Sequence, residues 1–155
     1  MTPEAIDLPE PSEQVATFRA ALAEGRLTFQ RCHACGNAWL PPRDFCPACL
    51  AGTWGWEDAS GRARVVSWVV YHRAYHPAFA DRVPYNVVVA ELEEGPRLIT
   101  NVLGIQGAEG LAIDQPLTLT LETEGDIPVA RFRLGLADEV PSADVADAQP
   151  AGQQR

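Results

Sequence analysis

Lysine is absent from this chain: all 12 of its basic residues are arginine, which excludes Schiff-base and lysine-nucleophile chemistry. No stretch approaches about 18 consecutive apolar residues, and no basic lead runs into an apolar core near the start, so neither a membrane span nor a secretory signal is expected. That profile fits a soluble, cytoplasmic protein. A glycine-rich phosphate loop is missing as well, and none of Ser12, Ser60, Ser67 or Ser142 sits in a G-x-S-x-G turn. Positive charge is also short. Asp plus Glu number 21 against those 12 arginines, a net charge of -9, whereas a nucleic-acid binder needs a basic surface. Residues 1–13 hold four acids and no base, and residues 138–155 hold four acids and one arginine. These ends supply -4 and -3 and leave -2 for the body.

What is present fills one ordinary domain, or a small barrel with a metal-stapled appendage, within 155 residues. Residues 1–12 are acidic and proline-rich and read as a disordered lead; residues 138–155 read as a disordered acidic tail. Over 13–24, Val15, Phe18 and Leu22 recur at helical spacing, with Ser12 placed to cap the start and Gly25 to end it. Residues 27–61 are too interrupted by Pro41, Pro42 and Pro47 for long elements. After Gly61 the alternation becomes that of sheet, and five strands are expected at 63–73, 85–93, 97–104, 116–124 and 129–135. The fourth is the cleanest, since Leu117, Leu119 and Leu121 alternate with Thr118, Thr120 and Glu122. A tight hairpin at Glu94, Gly95 and Pro96 joins the second to the third. The expected architecture is mainly β: an N-terminal helix and metal ribbon over 13–60, then a five-stranded barrel of OB type over 61–137.

Cys32-x-x-Cys35 and Cys46-x-x-Cys49 are two knuckles ten residues apart. Two facing knuckles make the tetrahedral sulfur cage that zinc accepts, with Zn–S near about 2.3 Å, and four thiolates leave no open position. One structural zinc per chain is expected, with Cys32, Cys35, Cys46 and Cys49 as ligands. Two disulfides, a redox C-x-x-C pair, and iron in the same cage are the alternatives. His33 lies inside the first knuckle, but the four cysteines already complete a ligand set, so it reads as an exposed turn residue. Trp39, Trp54 and Trp56 flank the knuckles, either as a stacking platform for an aromatic ligand or as cover for the metal in a ribbon with little core.

No free cysteine remains as a nucleophile, and Glu91, Glu93 and Glu94 beside the hairpin read as a solvated edge. The segment from 72 to 85 stands out. It gathers His72, Arg73, Tyr75, His76, Phe79, Arg82 and Tyr85 in a long connection that is too apolar to be disordered. Those seven are the candidate contacts to a partner or ligand; the alternative is a loop folded back to plug the barrel end.

These residues together resemble a bacterial and archaeal family that joins a rubredoxin-like zinc ribbon to an OB-fold, long catalogued as a domain of unknown function and found beside acyl-CoA enzymes. The resemblance runs from about Phe18 to Gly135. It rests on Gln30-Arg31-Cys32-x-x-Cys35-Gly36, Pro41-Pro42-Arg43 before Cys46-Pro47-x-Cys49, Ser60-Gly61-Arg62, His76-Pro77-Ala78-Phe79-Ala80, Val83-Pro84-Tyr85 and Arg131-Phe132. It implies a structural zinc and a non-catalytic partner of thiolase-fold enzymes, including lipid-transfer-protein-like aldolases of steroid side-chain breakdown, or of MaoC-like enoyl-CoA hydratases. The OB domain would hold the acyl-CoA or dock the enzyme. The family's implication extends to no particular acyl-CoA contact residue, nor to the long acidic tail. Two other classes stay open from the residues alone: a nucleic-acid-binding ribbon and OB module, and an iron-binding electron carrier of rubredoxin type.

Overall fold

The computed structural model of the chain describes residues 9–135. Residues 1–8 and 136–155 lie outside it, and with them most of the expected lead and the whole of the expected tail. Helix α1 (Glu13–Ala23) begins where the Ser12 hydroxyl accepts the Val15 N–H at 3.4 Å. It ends where Gly25, at φ +87°, lets Gly25 and Arg26 donate back to the carbonyls of Leu22 and Ala21. Phe18 and Leu22 turn the apolar stripe of α1 onto the barrel core.

Two sheets follow. Strands β1 (Thr28–Cys32), β2 (Ala38–Trp39) and β3 (Trp54–Asp58) form an antiparallel sheet in the order β2-β1-β3, the short elements that the prolines permit. The larger sheet is built from β4 (Arg62–Tyr71), β5 (Tyr85–Leu92), β6 (Arg97–Thr100), β7 (Val102–Leu103), β8 (Pro116–Glu124) and β9 (Ile127–Leu134), in the order β6-β5-β4-β8-β9-β7. Its interior holds Val65, Val88, Ala90, Leu92, Val102, Leu117 and Phe132, all buried.

The larger sheet has six strands where five were expected, and the reason is local. Strands β6 and β7 sit at opposite edges of the sheet, yet only Asn101 separates them in the chain. The single strand expected over 97–104 therefore bends at Asn101, pairing antiparallel with β5 before the bend and parallel with β9 after it. This bend closes the barrel. Its seam is sewn by Asn86, buried on β5, whose side-chain amide donates to the Val102 carbonyl at 3.0 Å and accepts the Val102 N–H at 2.7 Å. Asn101 in turn donates to the Asn86 carbonyl and accepts the Phe132 N–H at 3.1 Å.

Candidate metal centre and binding groove

The two knuckles are built alike. The Cys32 N–H bonds to the Asn37 carbonyl and the Gly36 N–H to the Cys32 carbonyl; Cys46 repeats this with Ala51 and Leu50. Each turn needs a left-handed residue after its second cysteine. Gly36 supplies it at φ 74°, and Leu50 adopts it at φ 62° with its side chain exposed. The result brings all four Sγ atoms within 4.8 Å of one another, with 3.6 Å between Cys32 and Cys49 and between Cys35 and Cys46. A tetrahedral zinc with Zn–S of about 2.3 Å needs sulfurs about 3.8 Å apart, so the four residues fit the ion.

Electrostatics points the same way. The N–H groups of Cys35 and Ala34 hold the Cys32 thiol below its ordinary range against the effect of burial. Burial works to raise the Cys46 thiol, but the N–H groups of Cys49 and Ala48 bring it down to about 6. The Ala51 N–H works to lower Cys49, yet the Cys35 and Cys32 sulfurs and burial outweigh it and push that thiol up to about 12. Cys46 and Cys49 are thus driven in opposite directions, as neighbouring thiolates are where no cation lies between them.

The surroundings are structural. Gln30, wholly buried on β1, accepts the Arg43 N–H at 2.7 Å and donates to the Arg43 carbonyl at 2.9 Å, which anchors the segment leading to the second knuckle. Trp39 packs edge-on against Trp54, and Trp54 against Trp56, with centroids 6.4 and 5.7 Å apart; Trp39 and Trp54 pack on the cysteine cluster, and Trp56 backs Trp54. His33 is exposed and outside the sulfur cluster; its ring lies over Gly55, where an added Cβ would meet Nε2 at 3.0 Å.

The candidate loop carries a 3-10 turn, η1 (Pro77–Arg82), capped by His76, whose Nδ1 accepts the Ala78 N–H at 3.1 Å. Phe79 is half-buried against Tyr85, with the Arg82 guanidinium 5.1 Å from its ring centroid. Phe79, Arg82 and Tyr85 line a groove of about 470 Å³ on the outer face of β5 and β6, the second and third strands of the barrel. Strands two and three and the loop after strand one are where OB-folds hold extended ligands. Tyr75 instead packs on Tyr71, and His72 and Arg73 stand exposed beyond the groove. The loop set thus divides into three groove residues, a cap, and three outlying residues.

The opposite wall comes from residues outside the seven candidate contacts: Glu122 and Glu124 from β8, and Arg131 from β9. Glu124 pairs with Arg82 and, at 3.1 Å, with Arg131. Burial acts to raise its carboxyl, but the two guanidiniums prevail and hold it below the usual carboxylate range. The outward parity of 118, 120 and 122 was legible in the alternation of β8, and continuing it to 124 would have placed Glu124 on this face.

Residues 19–55 match the family model of the ChsH2 rubredoxin-like zinc ribbon domain, and residues 56–122 match that of the ChsH2 C-terminal OB-fold domain. With the sulfur cluster, the ribbon match makes this one structural zinc site. The chain is 38% identical over 123 residues to a probable enoyl-CoA hydratase alpha subunit of Thermomonospora curvata, covering 79% of this chain and 37% of that protein. It is 34% identical over 93 residues to a DUF35 domain-containing scaffold protein of Methanothermobacter thermautotrophicus, covering 59% of this chain and 69% of the relative. It therefore spans little more than a third of the first relative's length. Among solved structures, a chain of the Ltp2-ChsH2(DUF35) aldolase superposes with a TM-score of 0.70 at 35% identity, covering 82% of this chain and 98% of that one. A DUF35 family protein of unknown function from Sulfolobus solfataricus shares the fold, at 13% identity, a TM-score of 0.58, and coverage of 80% of this chain and 87% of that one. No helix among the described residues is long and apolar enough to cross a membrane. The chain belongs to the DUF35 family, in which a rubredoxin-like zinc ribbon is joined to an OB-fold.

Proposed function

We propose that this chain is a non-catalytic accessory subunit, a scaffold for a thiolase-like aldolase or a MaoC-like hydratase acting on acyl-CoA, with the groove under η1 facing the enzyme and its acyl-CoA. The observation that carries this reading is the groove itself. It lies where OB barrels commonly hold ligands, its apolar side comes from Phe79, Val87, Ile99 and Ile105, and its arginines are tied to a carboxylate. An apolar wall with a few oriented polar groups suits a chain-like ligand or an enzyme surface. Zinc closed by four thiolates supports the ribbon and offers no Lewis-acid position. Two relatives carry the scaffold name, and the aldolase neighbour pairs a ChsH2(DUF35) chain with an enzyme, which supports the same role here.

Phe79→Ala is the deciding variant. A docking face predicts affinity for the co-purified acyl-CoA enzyme weakened by about 1 to 4 kcal/mol, with little change in the melting temperature of the free chain. A simple plug predicts the reverse, and an unchanged affinity rejects the interface.

A further inference from the structure

The segment 72–84 is fastened to the barrel by side chains alone. Among the described residues no backbone hydrogen bond ties it to a strand: the Phe79 N–H returns to the His76 carbonyl and the Ala78 N–H to the His76 ring. No residue of η1 is fully buried. Besides the partial burial of Ala78, Val83 and Pro84, the turn is held by Phe79 against Tyr85, Tyr75 against Tyr71, and an ion pair of Arg82 with Glu124. Glu124 is shared. Its second oxygen meets Arg131, whose side chain is only 16% exposed, so one carboxylate at the end of β8 lies between a guanidinium on the loop and one set into the groove wall.

We propose that Glu124 is an exchangeable counter-anion: it latches segment 72–84 over the groove, and the place it occupies between Arg82 and Arg131 accepts the phosphate of an entering ligand. Two guanidiniums converging on one point are a phosphate site by geometry, and here the protein fills it with its own carboxylate. Glu124 stands next to the Gly125 turn and its side chain is 32% exposed, so it has solvent to move into. The ligand would then exchange one bridge for another, keeping the lid attached through its own phosphate. The proposal deepens the reading of the groove as the working face and needs no partner enzyme for its test.

The experiment uses the full chain alone, with inorganic pyrophosphate as the probe. In Glu124→Gln, hydrogen exchange across 77–84 is expected to rise about three- to tenfold while β8 and β9 stay protected. Saturating pyrophosphate should restore that protection, and calorimetry should show Glu124→Gln binding the probe at least about tenfold tighter than the unaltered chain. Arg82→Gln should loosen the segment equally and show no rescue. Unchanged exchange in Glu124→Gln overturns the latch. Rescue that persists in Arg82→Gln, or equal pyrophosphate affinity with and without Glu124, overturns the phosphate site. Neither failure touches the docking role, which is read from Phe79→Ala.

Discussion

Residues 28–58 and residues 62–134 are both small β structures, and they cohere by different means. The ribbon's own buried cluster is Cys32, Trp39 and Cys46, two of which are metal ligands. The barrel interior is a continuous apolar cluster running from Val65 to Phe132. A three-stranded sheet with so little apolar interior cannot offset the chain entropy of its own ordering, and the zinc makes up the difference. In the barrel the balance is met by packing, and the geometry depends on side-chain volume.

The sharpest way to break this contrast is to remove the metal. Cys46→Ser, or chelation of the unaltered protein, forfeits a term on the order of 10 kcal/mol in small zinc modules. The ribbon should lose zinc and become protease-sensitive within 28–58 while the barrel still melts cooperatively. A variant that keeps its metal and its protease resistance would contradict the structural role. The converse change is Phe132→Ala, which empties a wholly buried site in the barrel. It should cost about 3–5 kcal/mol in denaturant unfolding yet leave one zinc per chain. Loss of zinc in step with the barrel would show that the two regions fold as one.

Smaller effects sharpen the comparison. Asn86→Ala strands the Val102 peptide groups, and Gln30→Ala those of Arg43. Each should cost about 1–3 kcal/mol, the first read in the barrel's melting and the second in faster zinc loss to a chelator. The smallest effect concerns Glu91, whose carboxyl Arg64 and Arg97 hold below its ordinary range. Since its folded value lies beneath its unfolded one, its contribution is complete above about pH 5 and disappears as the pH falls through the folded value. The gap in denaturant midpoint between the unaltered chain and Glu91→Gln should therefore be small but present at about pH 6 and should narrow as the pH falls below about 4. A gap that widens in acid would contradict the pairing.

Much of this was legible along the chain because the signals were local. Ser12 and Gly25 bracket α1, the two C-x-x-C pairs state the metal, and the alternation of Leu117, Leu119 and Leu121 marks β8. What escaped depends on partners distant in sequence. Asn101 reads as an ordinary polar residue within a strand, and only Asn86 and Phe132, 15 and 31 positions away, turn it into the bend that closes the barrel. Likewise Glu124 and Arg131 acquire meaning from Arg82, which lies 42 residues before Glu124. The candidate loop was found by its composition, but composition could not divide groove residues such as Phe79 from outlying ones such as His72.

Gln30 and Asn86 share a trait that bears on how freely this chain can vary. Each holds out, on a side chain, the same donor and acceptor that a neighbouring strand would offer, and each satisfies both groups of a single distant residue. Such a surrogate peptide admits few spellings. The isosteric acids, Gln30→Glu and Asn86→Asp, lose the donor and bury a charge; exchanging Gln for Asn or the reverse changes the reach by one methylene; an apolar residue answers neither group. Redesign of this fold has latitude on the outer faces away from the groove and almost none at these two letters.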